Sequence, residues 1–206
     1  PPPRFAGARF ETFRPDRAHP SQAEALARVE ALMAPLPPEG RRLLGRRRAD
    51  PPAGPHGLYL DGGFGVGKTH LIAALWHAGP RPAAFLTFAE LTALIGFVGM
   101  ERTVAAFADH RLLCIDEFEL DDVANTLMTV TFLRGVLAGG ALRVATTSNS
   151  LPDRLGEGRF SAEDFQREIA AIAEHFAVVR IDGPDVRATT TVLRERVVVR
   201  VVEDDV

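Results

Sequence analysis

The run Gly62-Gly63-Phe64-Gly65-Val66-Gly67-Lys68-Thr69 ends a glycine-rich loop in a lysine and a hydroxyl, and Lys68 is the only lysine in the chain. All other members of the 24 Lys and Arg residues are arginine. A compact, flexible ammonium has been kept where it can reach phosphate oxygens. The spacing is that of a G-x-x-x-x-G-K-T phosphate-binding loop. Its glycines let successive backbone N–H groups converge on a β-phosphate, Lys68 neutralises β/γ oxygens, and the Thr69 hydroxyl is suited to ligate Mg²⁺. Gly62, Gly63, Phe64, Gly65, Val66, Gly67, Lys68, Thr69 and His70 form the expected nucleotide-binding set.

Four apolar residues, Leu112-Leu113-Cys114-Ile115, run into Asp116-Glu117. An acid at the carboxyl end of a buried strand can hold the Mg²⁺ shell through water, so Asp116 joins Thr69 as the expected metal pair. Glu117 is then suited to polarise the attacking water. Thr146-Thr147-Ser148-Asn149 ends another apolar run in polar groups, and the Asn149 amide can bond a γ-phosphate or orient that water. The outer phosphoryl oxygens need further positive charge, which oligomeric ATPases take from a neighbouring subunit. Arg159, in Glu157-Gly158-Arg159-Phe160, is the first candidate for that role, with Arg154 and Arg167 behind it. Arg187 is a candidate second sensor. The expected catalytic set is therefore Lys68, Glu117, Asn149 and Arg159. With Lys68 committed, no lysine remains for a guanine-reading Asn-Lys-x-Asp motif, so ATP is the expected nucleotide. The six histidines show no metal-ligand spacing, and no metal beyond Mg²⁺ is expected.

Positioning these groups requires strands that end where the polar residues begin. Gly57 to Asp61 reads as a buried strand and His70 to Trp76 as a helix, which sets the loop between strand and helix. Further strands are expected over Ala83–Phe88, Arg111–Asp116, Leu142–Thr147 and Ala177–Ile181. Helices fill the intervals, over about 89–109 and 121–138, the latter closed by Gly139-Gly140. A further helix is expected from a cap at Ser161 to Asp164. This alternation predicts an α/β fold, a parallel five-stranded sheet flanked by helices. Before it, Pro1 to Asp16 reads as an extended arm with Phe5, Phe10 and Phe13 available to anchor it. Ser21-Gln22-Ala23-Glu24 has the spacing of a capping box for a helix to about Met33. Pro35 to Pro55 is a surface connection carrying Arg41, Arg42, Arg46, Arg47 and Arg48, and Thr189 to Val202 is β-branched and expected to pair as extra strands. The organisation is 1–56 arm, helix and connection, 57–188 nucleotide-binding core, and 189–206 extension.

A 206-residue chain with 46% hydrophobic and 25% charged residues and a net charge of −3 reads as one soluble α/β domain. That charge does not draw it to nucleic acid, and the arginine run reads as a solvated face. One cysteine, Cys114, cannot form an intrachain disulfide, which fits a cytoplasmic location. No apolar stretch reaches the length of a membrane span, so membrane association is expected only through a partner.

Gly62 to Thr69, then Leu112 to Phe118, then Thr147-Ser148-Asn149-Ser150-Leu151-Pro152-Asp153, then Val179-Arg180-Ile181-Asp182-Gly183 occur in an order that resembles the ZapE and AFG-like family of AAA+ ATPases. Phe13-Arg14-Pro15-Asp16 and Pro20-Ser21-Gln22 fit the same family, so the likeness spans most of the chain. The resemblance implies a P-loop NTPase of AAA+ type that hydrolyses ATP with Mg²⁺, with Asn149 at the sensor position. It also implies a homo-oligomer, such as a ring, that remodels a protein partner at the division site. The chain departs from the family pattern at Gly158-Arg159-Phe160, which is shifted in register. It has a shorter segment before Asp116, and it runs only a little beyond Arg187, leaving little or no C-terminal helical lid. Two other functions remain open: a helicase-loader-like ATPase acting on DNA, and a nucleotide-gated adaptor with little turnover.

Overall fold

The computed structural model describes residues 1–34, 57–119, 123–138, 142–149 and 176–185. Within them, five strands pair in parallel: β1 (Gly57–Gly62), β2 (Ala83–Thr87), β3 (Leu112–Asp116), β4 (Arg143–Ser148) and β5 (Phe176–Ile181). Their order across the sheet is β2-β3-β4-β1-β5. The helices are α1 (Pro20–Ala31), α2 (Lys68–Ala78), α3 (Phe88–Val98), α4 (Met100–Phe107) and α5 (Val123–Leu137).

Alternate residues of the central strands feed two apolar cores, because successive side chains of a strand point to opposite faces. Leu58, Leu60, Leu112 and Cys114 pack with α1 and α2 residues such as Val29, Leu71 and Leu75. Tyr59, Leu113, Ile115 and Val144 pack with Leu91, Phe107 and Phe132 from α3, α4 and α5. Every residue of β3 is buried, as a parallel sheet covered on both faces demands.

The chain's local chemistry sets the boundaries. The hydrophobic run suggests that β2 continues to Phe88, but Thr87 ends it by capping α3. Its hydroxyl accepts the Glu90 N–H at 3.2 Å while the Glu90 carboxylate accepts the Thr87 N–H at 2.7 Å. Gly99, with φ of 90°, separates α3 from α4. The Ser21–Glu24 capping box does not form. Pro20 opens α1 after His19, where a fixed φ and a missing N–H cost nothing. Ser21 is released for a long-range bond, its Oγ accepting the Asp182 N–H at 2.9 Å. Gln22, which is buried, accepts the Asp16 N–H at 2.9 Å and donates to the Asp182 carbonyl at 3.0 Å. The residues that read as a cap instead staple α1 to the chain after β5.

The arm is not extended throughout. It forms short 3-10 turns at Pro3–Phe5 and Phe10–Thr12 and lies on α2. Ala8 and Phe10 are buried, and Phe10 and Phe13 join the core that α1 and α2 share. The Pro35–Pro55 connection with its arginines, the Gly139-Gly140 helix stop, the helix expected from Ser161 and the 189–206 extension lie outside the described residues. Phe10→Ala should cost about 3 kcal/mol of stability, the usual loss for a buried Phe, as read from the denaturant midpoint. A loss under about 1 kcal/mol would show that the arm is not part of the core.

Candidate active site

Ligands of open α/β sheets bind beyond the carboxyl ends of the strands. Here those ends bring three motifs together, because β4 lies between β1 and β3. Leu60 of β1 pairs with Thr147, and Ile115 of β3 pairs with Thr146. Thr147 therefore stands between the glycine loop and the acid pair.

The loop runs from β1 into α2, and two of its glycines are required by shape. Gly67 (φ 99°) precedes α2, and a Cβ there would lie 2.5 Å from the Phe13 ring. At Gly62 (φ 151°) a Cβ would collide with the Ile181 carbonyl oxygen. A helix's first turn has backbone N–H groups without intrahelical partners, a ready anion site, and the first turn of α2 comprises Lys68, Thr69 and His70. Lys68 is buried, its ammonium donating to the Gly62 and Gly63 carbonyls at 2.6 Å each and to Asn149 Oδ1 at 3.1 Å.

On the facing side, the Thr69 hydroxyl donates to Asp116 Oδ1 at 3.0 Å, and the Thr147 hydroxyl donates to the same oxygen. Thr147 Oγ1 also accepts the Glu117 N–H at 3.1 Å, and its carbonyl accepts the Phe118 N–H at 2.7 Å. These bonds hold Glu117 at φ 56°, the one non-glycine residue with positive φ among those described. Such backbone is disfavoured for a side chain with a Cβ and persists only where surroundings over-determine it. It lets Asp116 sit buried in the sheet, Glu117 open toward solvent, and Phe118 return to the core against Tyr59 and Phe88, at ring distances of 6.0 and 5.2 Å.

Lys68, Thr69, Asp116, Glu117 and Asn149 line one cavity of about 440 Å³, a size ordinary for a small-molecule site. Phe64, Gly65, Gly67 and His70 also line it. His70 has a second attachment, its Nε2 lying 3.0 Å from both Thr12 Oγ1 and the Arg9 carbonyl. The Thr69–Asp116 pair is an all-oxygen donor set of the kind Mg²⁺ takes, and Lys68 with the loop suits a phosphate chain. Arg159, Arg154, Arg167 and Arg187 lie outside the described residues.

Sequence reasoning singled out Asn149 from its polar run and passed over Thr147, the hydroxyl that joins both acids. It also missed Glu119, which accepts from Asn149 Nδ2 at 3.4 Å, and the arm residues Arg4 and Phe5 on the cavity wall. Only the polar character of the β4 end could have signalled Thr147. Cys114 is wholly buried, its burial pushes the thiol above its usual range, and its Sγ–H donates to the Ile72 carbonyl at 3.5 Å.

The geometry and strand order define a P-loop protein of AAA+ type. The chain belongs to the AFG1-like ATPase family, whose model matches residues 5–203. It is 31% identical over 194 residues to cell division protein ZapE of Escherichia coli (strain K12), covering 82% of this chain and 52% of ZapE. The chain thus spans about half the length of that relative. Among solved structures, DnaI superposes with a TM-score of 0.66 at 20% identity, covering 90% of this chain and 93% of DnaI. The DnaC helicase loader superposes at 0.57 and 18% identity, covering 87% and 99%. At those identities the likeness is one of fold.

Thr147→Val should cost about 2 kcal/mol of stability, because it leaves the Glu117 N–H without its acceptor and takes from buried Asp116 one of its two hydroxyl donors. A midpoint within error of wild type would show that the hydroxyl bonds add nothing. Asp61, buried at the end of β1, offers a pH test. Burial pushes its carboxyl above the ordinary aspartate value, against the lowering effects of the Gly62 N–H, Arg180 and Lys68. The folded chain then holds that proton more tightly than the unfolded chain, so stability falls as pH rises from about 4 through the raised folded value. Asp61→Asn should remove that fall and be the more stable protein at neutral pH. Parallel stability profiles for the two proteins would contradict this.

Proposed function

We propose that this chain binds ATP with Mg²⁺, hydrolyses it, and uses the turnover to remodel a protein partner in cell division. The observation that carries the reading is the Thr147 hydroxyl, which ties Asp116 and Glu117 into one unit beside the Lys68 loop. When bound, Mg²⁺ would be held by Thr69 and, through water, by Asp116, and would draw charge from the outer phosphate oxygens. Lys68 exchanges its carbonyl partners for β/γ oxygens. Glu117 accepts the proton of the attacking water as its oxygen bonds the γ-phosphorus, and the bridging oxygen leaves with ADP. Asn149 orients that water or the γ-phosphate, since its amide reaches the Lys68 ammonium.

Membership in the AFG1-like family and the identity with ZapE support hydrolysis and a division-linked partner. A homo-oligomer, such as a ring, with Arg159 acting in trans, completes the reading, and the work is done in the cytoplasm. Among the described residues no helix is long and apolar enough to cross a membrane, which fits membrane contact through a partner.

The test is Mg²⁺-dependent ATP hydrolysis per subunit across a protein dilution series. Lys68→Ala should lose both binding and turnover, whereas Glu117→Gln should still bind ATP but turn over at least about 100-fold more slowly. Activity per subunit should rise with concentration. Tight binding with no turnover at any concentration would replace this reading with a nucleotide-gated adaptor. Salt-sensitive single-stranded DNA binding, lost on neutralising Arg46, Arg47 and Arg48, would favour a DNA-acting loader.

A further inference from the structure

Arg4 is the one cation besides Lys68 among the described residues lining the cavity that holds Thr69, Asp116 and Glu117. Nothing in the sequence pattern marks it, and its position follows from how the arm is fastened to α2. The Phe5 carbonyl is 3.2 Å from His77 Nε2, the Arg9 carbonyl and Thr12 hydroxyl are 3.0 Å from His70 Nε2, and Phe13 covers Gly67. His70 and His77 are seven residues apart and so lie on one face of the helix. The arm thus runs antiparallel to α2, with burial of Ala8 and Phe10 fixing its course between the two imidazoles. The first 3-10 turn therefore lies beside the last turn of α2, and Arg4 and Phe5 line the cavity from there, with the Arg4 guanidinium 5.0 Å from the Phe5 ring centroid, a contact that steadies a cation at an exposed rim.

The charges around the cavity give that position a use. Asp116 and Glu117 bring negative charge to the end where the γ-phosphate would lie, and the Lys68 ammonium is drawn in toward the loop carbonyls. A transferring phosphoryl group spreads its charge over outer oxygens that point away from the loop, and a guanidinium is the side chain whose fork suits them. Resting on the ATP reading above, we propose that Arg4 is a cis-acting arginine that contacts the γ-phosphate of the nucleotide bound by its own subunit. Water attacks the γ-phosphorus, the bond to the bridging oxygen breaks, the proton passes to Glu117, and Arg4 supplies charge alone. The arm then does more than cover α2, for it supplies the fourth side of the phosphate site.

The test compares wild type, Arg4→Ala and Arg4→Lys for ATP affinity, ADP affinity and turnover at saturating ATP. The Arg4→Ala chain should bind ATP about tenfold more weakly with ADP affinity unchanged, and its kcat should fall by about tenfold or more, short of the roughly 10³–10⁵ of a fully engaged arginine finger because Arg4 stands at an exposed rim. Arg4→Lys should recover part of the ATP preference, because the charge returns without the fork. Mixing Arg4→Ala with Lys68→Ala subunits separates cis from trans action. No recovery of activity in the mixture is expected, and recovery would overturn the cis assignment. Unchanged ATP preference and unchanged turnover in Arg4→Ala would overturn the proposal outright. If wild type binds ATP without hydrolysing it, the hydrolase reading fails, while the ATP-to-ADP affinity ratio still decides the Arg4 contact. Wild type that binds no ATP would overturn both.

Discussion

One hydroxyl, that of Thr147, links the two halves of the site. It donates to Asp116, accepts from the Glu117 backbone, and belongs to the strand that separates the phosphate loop from the acids. Few other groups would serve. An aliphatic side chain would bury Asp116 without that donor, and a carboxylate would set a second negative charge against it, which burial makes costly. A threonine fits because it donates and accepts on a β-branched frame that suits a buried strand. The positive φ of Glu117 follows from this arrangement, since the chain must turn sharply for Asp116 to remain in the sheet while Glu117 leaves it.

The opposite side of the site is constrained by close approach. The Ile181 carbonyl crowds Gly62 and the Phe13 ring crowds Gly67, so the loop is shaped from both flanks by segments distant in sequence. The same segments are fastened to each other. Gln22 bridges the Asp16 N–H and the Asp182 carbonyl, while Ser21 takes the Asp182 N–H. Arm, α1 and the end of β5 thus form a continuous buttress behind the glycines. A loop of small residues has little rigidity of its own. Its shape is imposed by what surrounds it.

What was legible in the sequence depended on how local the signal was. The five strands and the helices α2 to α5 followed from apolar runs cut by polar or glycine residues, and the parallel order follows from their alternation. Lys68, Thr69, Asp116, Glu117 and Asn149 were legible as short motifs at strand ends, and the structure brings those five to one cavity. Boundaries failed where a side chain chose a distant partner over a local one. Ser21 had the spacing of a helix cap, but its hydroxyl is used by the Asp182 N–H, and Thr87 ended β2 early because Glu90 completed a cap that competed with the strand. The wall formed by Arg4 and Phe5 was beyond reach for the same reason. It depends on His77 and His70, and on burial of Phe10, none of which leaves a pattern near residue 4.

Asn149 touches both sides of the site. Its amide oxygen accepts from the Lys68 ammonium, and its amide nitrogen donates to Glu119, two residues beyond Glu117. A planar amide fixes the angle between its two polar ends, so the two bonds set the orientation of Asn149 together. Thr147, two residues earlier in the chain, holds Glu117 from the same strand end. The end of β4 therefore contacts the loop on one side and the acid segment on the other, and a shift on either side is felt by both. The short polar stretch from Thr147 to Asn149 is thus bonded to Lys68 of the loop on one side and to Glu117 and Glu119 of the segment after β3 on the other.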